Sequence, residues 1–198
     1  MWTIIIIALI ILFIVMFVVG IYNRLVQLRN QVKNSWSQID VQLQRRYDLI
    51  PNLVETVKGY MTFEKGTLEA VIQARNQAQS ARSRVEQQGG PTAEGGSLKE
   101  LIAAEATLSG SLGKIFALSE AYPQLRATEN MQRLQEELSS TENKVAFARQ
   151  AYNDMVLTYN NAQQKIPAVF FASAFGHHPA DLFDVQDQEA KKAVKVKF

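Results

Sequence analysis

Apolar and polar positions follow two patterns along this chain. Ile4 to Ile21 is an unbroken apolar run, Gly20 apart. Beyond it, apolar residues recur every three or four positions, the spacing of one helix face. A first stripe uses Leu25, Leu28, Val32, Trp36, Ile39, Leu43, Tyr47 and Ile50. It predicts a helix from Asn23 to about Leu49 that continues the apolar run without a break. Pro51 is read as the first turn of a second helix, because that position needs no backbone N–H. The second helix reaches about Gln88, with Leu53, Val54, Val57, Met61, Leu68, Val71, Ile72, Ala78 and Val85 on its stripe. A Gly-rich loop over 87–96 follows. The third helix opens at Ser97-Leu98-Lys99-Glu100, the pattern of a capping box, and carries Leu98, Leu101, Leu108, Leu112, Ile115 and Tyr122. Gly110 and Gly113 in its middle fit either close helix packing or a locally weak helix. The fourth runs from about Thr128 to Ile166, its apolar positions from Met131 through Leu138, Val145, Tyr152 and Tyr159 alternating steps of three and four like a coiled-coil seam. No stretch sustains strand alternation. The expected fold is all-α: an N-terminal transmembrane helix continuing into an antiparallel up-and-down four-helix bundle.

With Trp2, Thr3 and Tyr22 added, the apolar run reaches the roughly 20 residues needed to cross about 30 Å of hydrocarbon, and Trp2 and Tyr22 stand where interfacial aromatics belong. A cleaved signal peptide would show a basic start, a shorter apolar core and small residues at the cut; here no Lys or Arg precedes the run and Ile21-Tyr22-Asn23 follows it. Arg24, Arg29 and Lys33 come next, before any acid. The positive-inside rule then puts the N-terminus outside and the rest in the cytoplasm. The alternative is a signal anchor of opposite orientation. The span holds no ionisable residue, no Pro and no small-xxx-small pair, so it reads as a plain anchor rather than part of a channel or transporter. The expected organisation is a transmembrane anchor over 1–22, a cytoplasmic helical domain over 23–185 and a basic tail over 186–198, in the cytoplasmic (inner) membrane of a bacterium.

Charge adds little to this. The 198 residues carry 21 basic and 19 acidic side chains, a balance that argues against a nucleic-acid partner. The mean hydropathy of -0.10 averages the span with a polar domain. There is no Cys, which removes disulfides, thiolate metal sites and thiol nucleophiles.

Four groups of residues invite a chemical reading. Arg45, Arg46 and Asp48 beside Pro51 form either a partner-docking patch or an ion-pair cluster fixing the first turn, Arg45 and Asp48 sharing a helix face. Glu64, Arg75, Arg82 and Glu105 interrupt apolar stripes, as register-setting polar groups do. A simple reversal between the second and third helices places Arg82 near Glu105 and Val85 opposite Leu101. His177 and His178 are metal-ligand types, but adjacent His side chains diverge and no i, i+4 pair exists; no metal is expected. The stretch Ala168 to Phe175 is apolar and aromatic, with Lys191, Lys192, Lys195 and Lys197 downstream. Phe170, Phe171 and Phe175 either meet lipid headgroups or another subunit, or pack over the bundle's end. If they meet lipid, residues 168–198 are dispensable for the bundle. No constellation meets the starting conditions for a reactive site, so no catalytic residues and no cofactor are expected.

Several of these residues sit in longer motifs. The run from Gln42 to Val54, QLQRRYDLIPNLV, together with Glu120-Ala121-Tyr122-Pro123-Gln124-Leu125, Thr141-Glu142-Asn143 and Tyr152-Asn153, resembles the bacterial LemA family over about Leu25 to Pro167. The resemblance implies a membrane-anchored four-helix bundle and little about activity. The chain departs from the family pattern at Phe63, where a His is usual, and at Met131 and Ile166, where Phe is usual. Sensor kinases have also carried the family name, but no kinase nucleotide loop or phospho-acceptor His box is visible here. The expected function is therefore a membrane-anchored, non-enzymatic scaffold or interaction protein, self-associating through its helical domain. The alternative is an envelope-signalling or membrane-protease adaptor. The expected partners are the lipid bilayer, further copies of the chain and unknown proteins, with neither nucleic acid nor a small-molecule substrate.

Overall fold

The computed structural model describes residues 1–60, 64–92 and 96–184. Four long helices dominate: α1 (Trp2–Lys58), α2 (Lys65–Gln87), α3 (Ser97–Ser119) and α5 (Glu129–Gln164), with a single turn, α4 (Pro123–Arg126), between the last two. No strand occurs among the described residues. The apolar run and the first stripe form one continuous helix of 57 residues, about 85 Å long.

The first boundary lies elsewhere than the sequence predicts. α1 passes through Pro51 and ends at Lys58, so what reads as the start of a second helix is the end of the first. Proline lacks the N–H that would bond the carbonyl four residues back, which here is Tyr47. Arg75 of α2 replaces that donor, its Nε donating to the Tyr47 carbonyl at 3.3 Å. Leu53, Val54 and Val57 stay on the buried side of α1.

Contacts between named residues set the helix directions. Asp40 and Tyr47 of α1 meet Arg82 and Arg75 of α2, so numbering rises on one helix as it falls on the other. On α5, Glu142 meets Arg46 and Tyr152 meets Trp36, which makes α5 antiparallel to α1. Arg84 and Glu100 tie the near ends of α2 and α3 at 3.0 Å. These pairings give an up-down-up-down bundle.

The core is continuous. Ile39, Leu43, Tyr47 and Ile50 of α1 pack with Val71, Ala74, Ala78 and Val85 of α2, Leu101, Leu108 and Ile115 of α3, and Tyr152, Val156 and Tyr159 of α5. Helix ends differ from expectation. Ser97 is the first residue of α3 rather than its cap, Glu100 faces Arg84, and Gly96 turns the chain in at φ 73°. The capping box is therefore not formed. A Cβ at Gly110 or Gly113 would meet open space, so close packing does not explain either glycine. Thr128 caps α5, accepting from the Met131 N–H.

The α2–α3 hairpin covers only the distal part of α1, because Asp40 already faces Arg82 near the end of α2. Closer to the span, α1 is flanked by α5 and by residues 168–184. Trp36 rests against Phe183 and Tyr22 against Phe175, with ring centroids 6.1 and 5.3 Å apart. Residues 1–17 are exposed throughout, so the apolar start of α1 projects free of the bundle. In water that surface would be untenable; hydrocarbon accommodates it, since a helix satisfies its own backbone. α3 is also long and apolar enough to cross a membrane by composition alone, but it carries core residues of the bundle. The basic tail over 186–198 lies outside the described residues.

Candidate functional site

Two polar regions stand out, one inside the bundle and one at its foot. Inside, the α1 stripe is interrupted where Arg46 turns inward while its neighbour Arg45 stays exposed. Arg46 is buried and donates to Glu105 of α3 at 3.1 Å and to Ser109 at 2.7 Å, and it pairs with Glu142 of α5 at 3.0 Å. The Tyr47 hydroxyl donates a short hydrogen bond to the other oxygen of Glu105. Burial pushes the Glu105 carboxyl above the usual carboxylate range and outweighs the attraction of Arg46. Burial and the Glu105 charge likewise push the Tyr47 hydroxyl up. The group thus ties α1, α3 and α5 at one level, beside a groove of about 330 Å³ lined in part by Leu43, Arg149 and Phe183.

The expected pairing of Arg82 with Glu105 is not made. Arg82 turns to α1, where it grips both oxygens of Asp40 and the Gln44 side chain, with Glu86 at 3.1 Å. The Asp40 hydrogen bond holds the guanidinium pKa above its ordinary value. In three dimensions α2 and α3 each also meet α1, and Arg82 and Glu105 both turn toward it. Arg84 and Glu100 make the hairpin's ion pair instead. The expected unit of Arg45, Arg46 and Asp48 is also split. Asp48 accepts from Gln44 at 2.7 Å rather than pairing with Arg45, and the turn these residues were expected to fix lies beyond Lys58.

At the foot, residues 177–183 form an extended strap along α5. Asn160 clamps Ala180, its amide donating to the carbonyl and its oxygen accepting from the N–H, both at 2.9 Å. Asn153 does the same to Phe183, at 3.2 and 2.8 Å. The Tyr152 hydroxyl donates to the Asp181 carbonyl at 2.9 Å, and the Tyr159 hydroxyl lies 3.0 Å from Nδ1 of His177. Burial, then Arg29 and His178, pulls the His177 pKa down. The signal for this strap was present in the chain: Tyr-Asn recurs at 152–153 and 159–160, two turns apart on one face. Nothing in the sequence announced what that face would hold.

The aromatic stretch divides. Phe170 is 69% exposed, whereas Phe171 and Phe175 are half-buried and stack on each other beside Tyr22. Phe183 and Ala180, farther along, belong to the core. Residues 168–184 thus include part of the core, as packing over the bundle's end would have it, and removing them would uncover Trp36 and Tyr152.

Comparison with known proteins fits this geometry. Magnetosome protein MamQ of Magnetospirillum gryphiswaldense is 26% identical over 174 residues, covering 82% of this chain and 64% of that protein. Magnetosome proteins MamQ 1 and MamQ 2 of Paramagnetospirillum magneticum are 25% identical over the same length and coverage. The chain thus spans about 64% of the length of the curated relatives it matches. The free apolar segment of α1 is long and apolar enough to cross a membrane. The model of the LemA family matches residues 35–198, taking in the buried Arg46 group and both asparagine clamps, and the chain belongs to the LemA family.

Proposed function

We propose that this protein is a non-enzymatic scaffold anchored in the bacterial cytoplasmic membrane, its bundle on the cytoplasmic side, and that it self-associates through the outer face of α1 and α5. The observation that carries this reading is an apolar face left uncovered by the described residues. Phe147 of α5 is 73% exposed and Val41 of α1 is 60% exposed. Both line a shallow groove of about 640 Å³ with Ala148, Ala151 and the α1 residues Asn34 and Ser37; Lys144 is its one charged lining residue. A Phe beside a groove on one face suits a two-fold contact, in which each copy's ring fills the other's groove. Exposed aromatics of this kind anchor interfaces more often than isolated aliphatics do.

Mass measurement of the full chain in mild detergent tests the reading. A defined oligomer is expected, and Phe147→Asp should return it to monomer with helicity and melting unchanged. A monomeric wild type would sink self-association and favour an adaptor that works through other proteins.

A further inference from the structure

A second groove, of about 380 Å³, lies at the foot of the bundle where α1 leaves the span. Its apolar lining includes Ile21, Leu28 and Ile166, the last 79% exposed. Arg24 of α1 and Lys165, the residue that follows α5, stand in the same lining, and no Asp or Glu accompanies them. Neither cation has an ion-pair partner among the described residues. Below Ile21 along α1, the apolar residues Val19 and Phe17 are exposed.

From this juxtaposition we infer that the α1–α5 foot is a binding site for one anionic glycerophospholipid of the adjoining leaflet. The phosphodiester sits against Arg24 and Lys165. The acyl chains descend past Ile21 onto the span. Two cations facing one phosphate leave a net positive site, so an anionic headgroup such as phosphatidylglycerol is preferred over zwitterionic phosphatidylcholine. A soluble phosphate would leave Ile21, Leu28 and Ile166 uncovered, which is why the occupant is a lipid. At about 1 kcal/mol per basic residue near the surface, the preference is roughly thirtyfold. The inference rests on the membrane placement proposed above and is independent of self-association, because lipid is counted per chain.

The test is native mass spectrometry of the full chain from detergent micelles holding equal phosphatidylglycerol and phosphatidylcholine. Wild type should retain phosphatidylglycerol in large excess. Arg24→Gln with Lys165→Gln should bring the ratio close to one without moving the melting temperature. Lys33→Gln with Lys99→Gln removes the same charge from other exposed positions and should leave the ratio high. Glycerol 3-phosphate, supplied at the lipid's concentration, should not displace the bound lipid. Equal retention of the two lipids by wild type, unchanged preference in the groove variant, an equal loss in the control, or displacement by the soluble phosphate would each overturn the site.

Discussion

Arg46 shows how much one inward turn of a charged side chain commits a bundle to. Its guanidinium is buried with Glu105, and the Tyr47 hydroxyl shares that carboxylate. Removing one partner of a buried pair strands the other, a loss of about 3–5 kcal/mol. Glu105→Ala should cost that much. Glu105→Gln, which keeps an oxygen for Arg46 or Tyr47, should cost about half as much or less. Wild type and Glu105→Gln also separate in their pH dependence. Burial raises the folded pKa of Glu105 above its unfolded value. Its protonated form is therefore the one the fold favours, so the stability it contributes is complete below the ordinary carboxylate pKa and is lost as pH rises through the raised folded value. Glutamine has no such loss. Urea unfolding of wild type and Glu105→Gln across pH 4 to 8 should show the variant's deficit shrinking as pH rises. A deficit that grows with pH would mean that Arg46 holds the carboxylate ionised.

At the scale of elements, the strap over 177–183 behaves as an extra member of the bundle that is neither helix nor strand. Such a segment needs partners for its backbone groups, and two asparagines on one face of α5 supply them at Ala180 and Phe183. Asn160→Ala leaves both backbone groups of Ala180 without that partner, a cost of about 1–3 kcal/mol for a buried donor or acceptor. Hydrogen exchange should then quicken at the Ala180 and Phe183 amides while the amides of α2 and α3 keep their protection, because the hairpin joins the core through other residues. Unchanged protection at Ala180 would show that Asn160 does not hold the strap. The same scale explains Pro51. A proline inside a helix interior costs about 3 kcal/mol or more, and Arg75 offsets part of this by serving the Tyr47 carbonyl.

For the whole molecule, α1 is both the proposed anchor and the first bundle helix, so the bundle cannot turn relative to the apolar run without bending a continuous helix. α5 returns to the foot, and the strap ends beside Trp36, so both are tied to the part of α1 that precedes its contact with the α2–α3 hairpin. The proposed orientation is checkable because the chain has no Cys. Lys99→Cys, at the exposed start of α3, should react with a membrane-impermeant maleimide only after intact cells are permeabilised. Labelling of intact cells would place the bundle outside.

The helical class, the long apolar helix and most core positions were legible in the sequence, the last because burial in a bundle imprints a period of three and four that needs no partner to be seen. Leu25, Val32, Ile39, Leu43, Leu101, Leu108, Tyr152 and Tyr159 all lie on the predicted stripes and are buried. The end of the first helix was not legible: Pro51 reads as punctuation unless Arg75, 24 residues on, is known to serve the carbonyl it frees. Ion-pair partners were equally hidden. Periodicity tells which face of a helix is buried but not which neighbour covers it, so Arg82 turns to Asp40 and Glu105 to Arg46 through contacts 42 and 59 residues apart. The strap and the foot groove are decided only in three dimensions: the strap lays a segment that carries no period on a face of α5, and the groove brings together faces of α1 and α5 that are 130 or more residues apart in the chain.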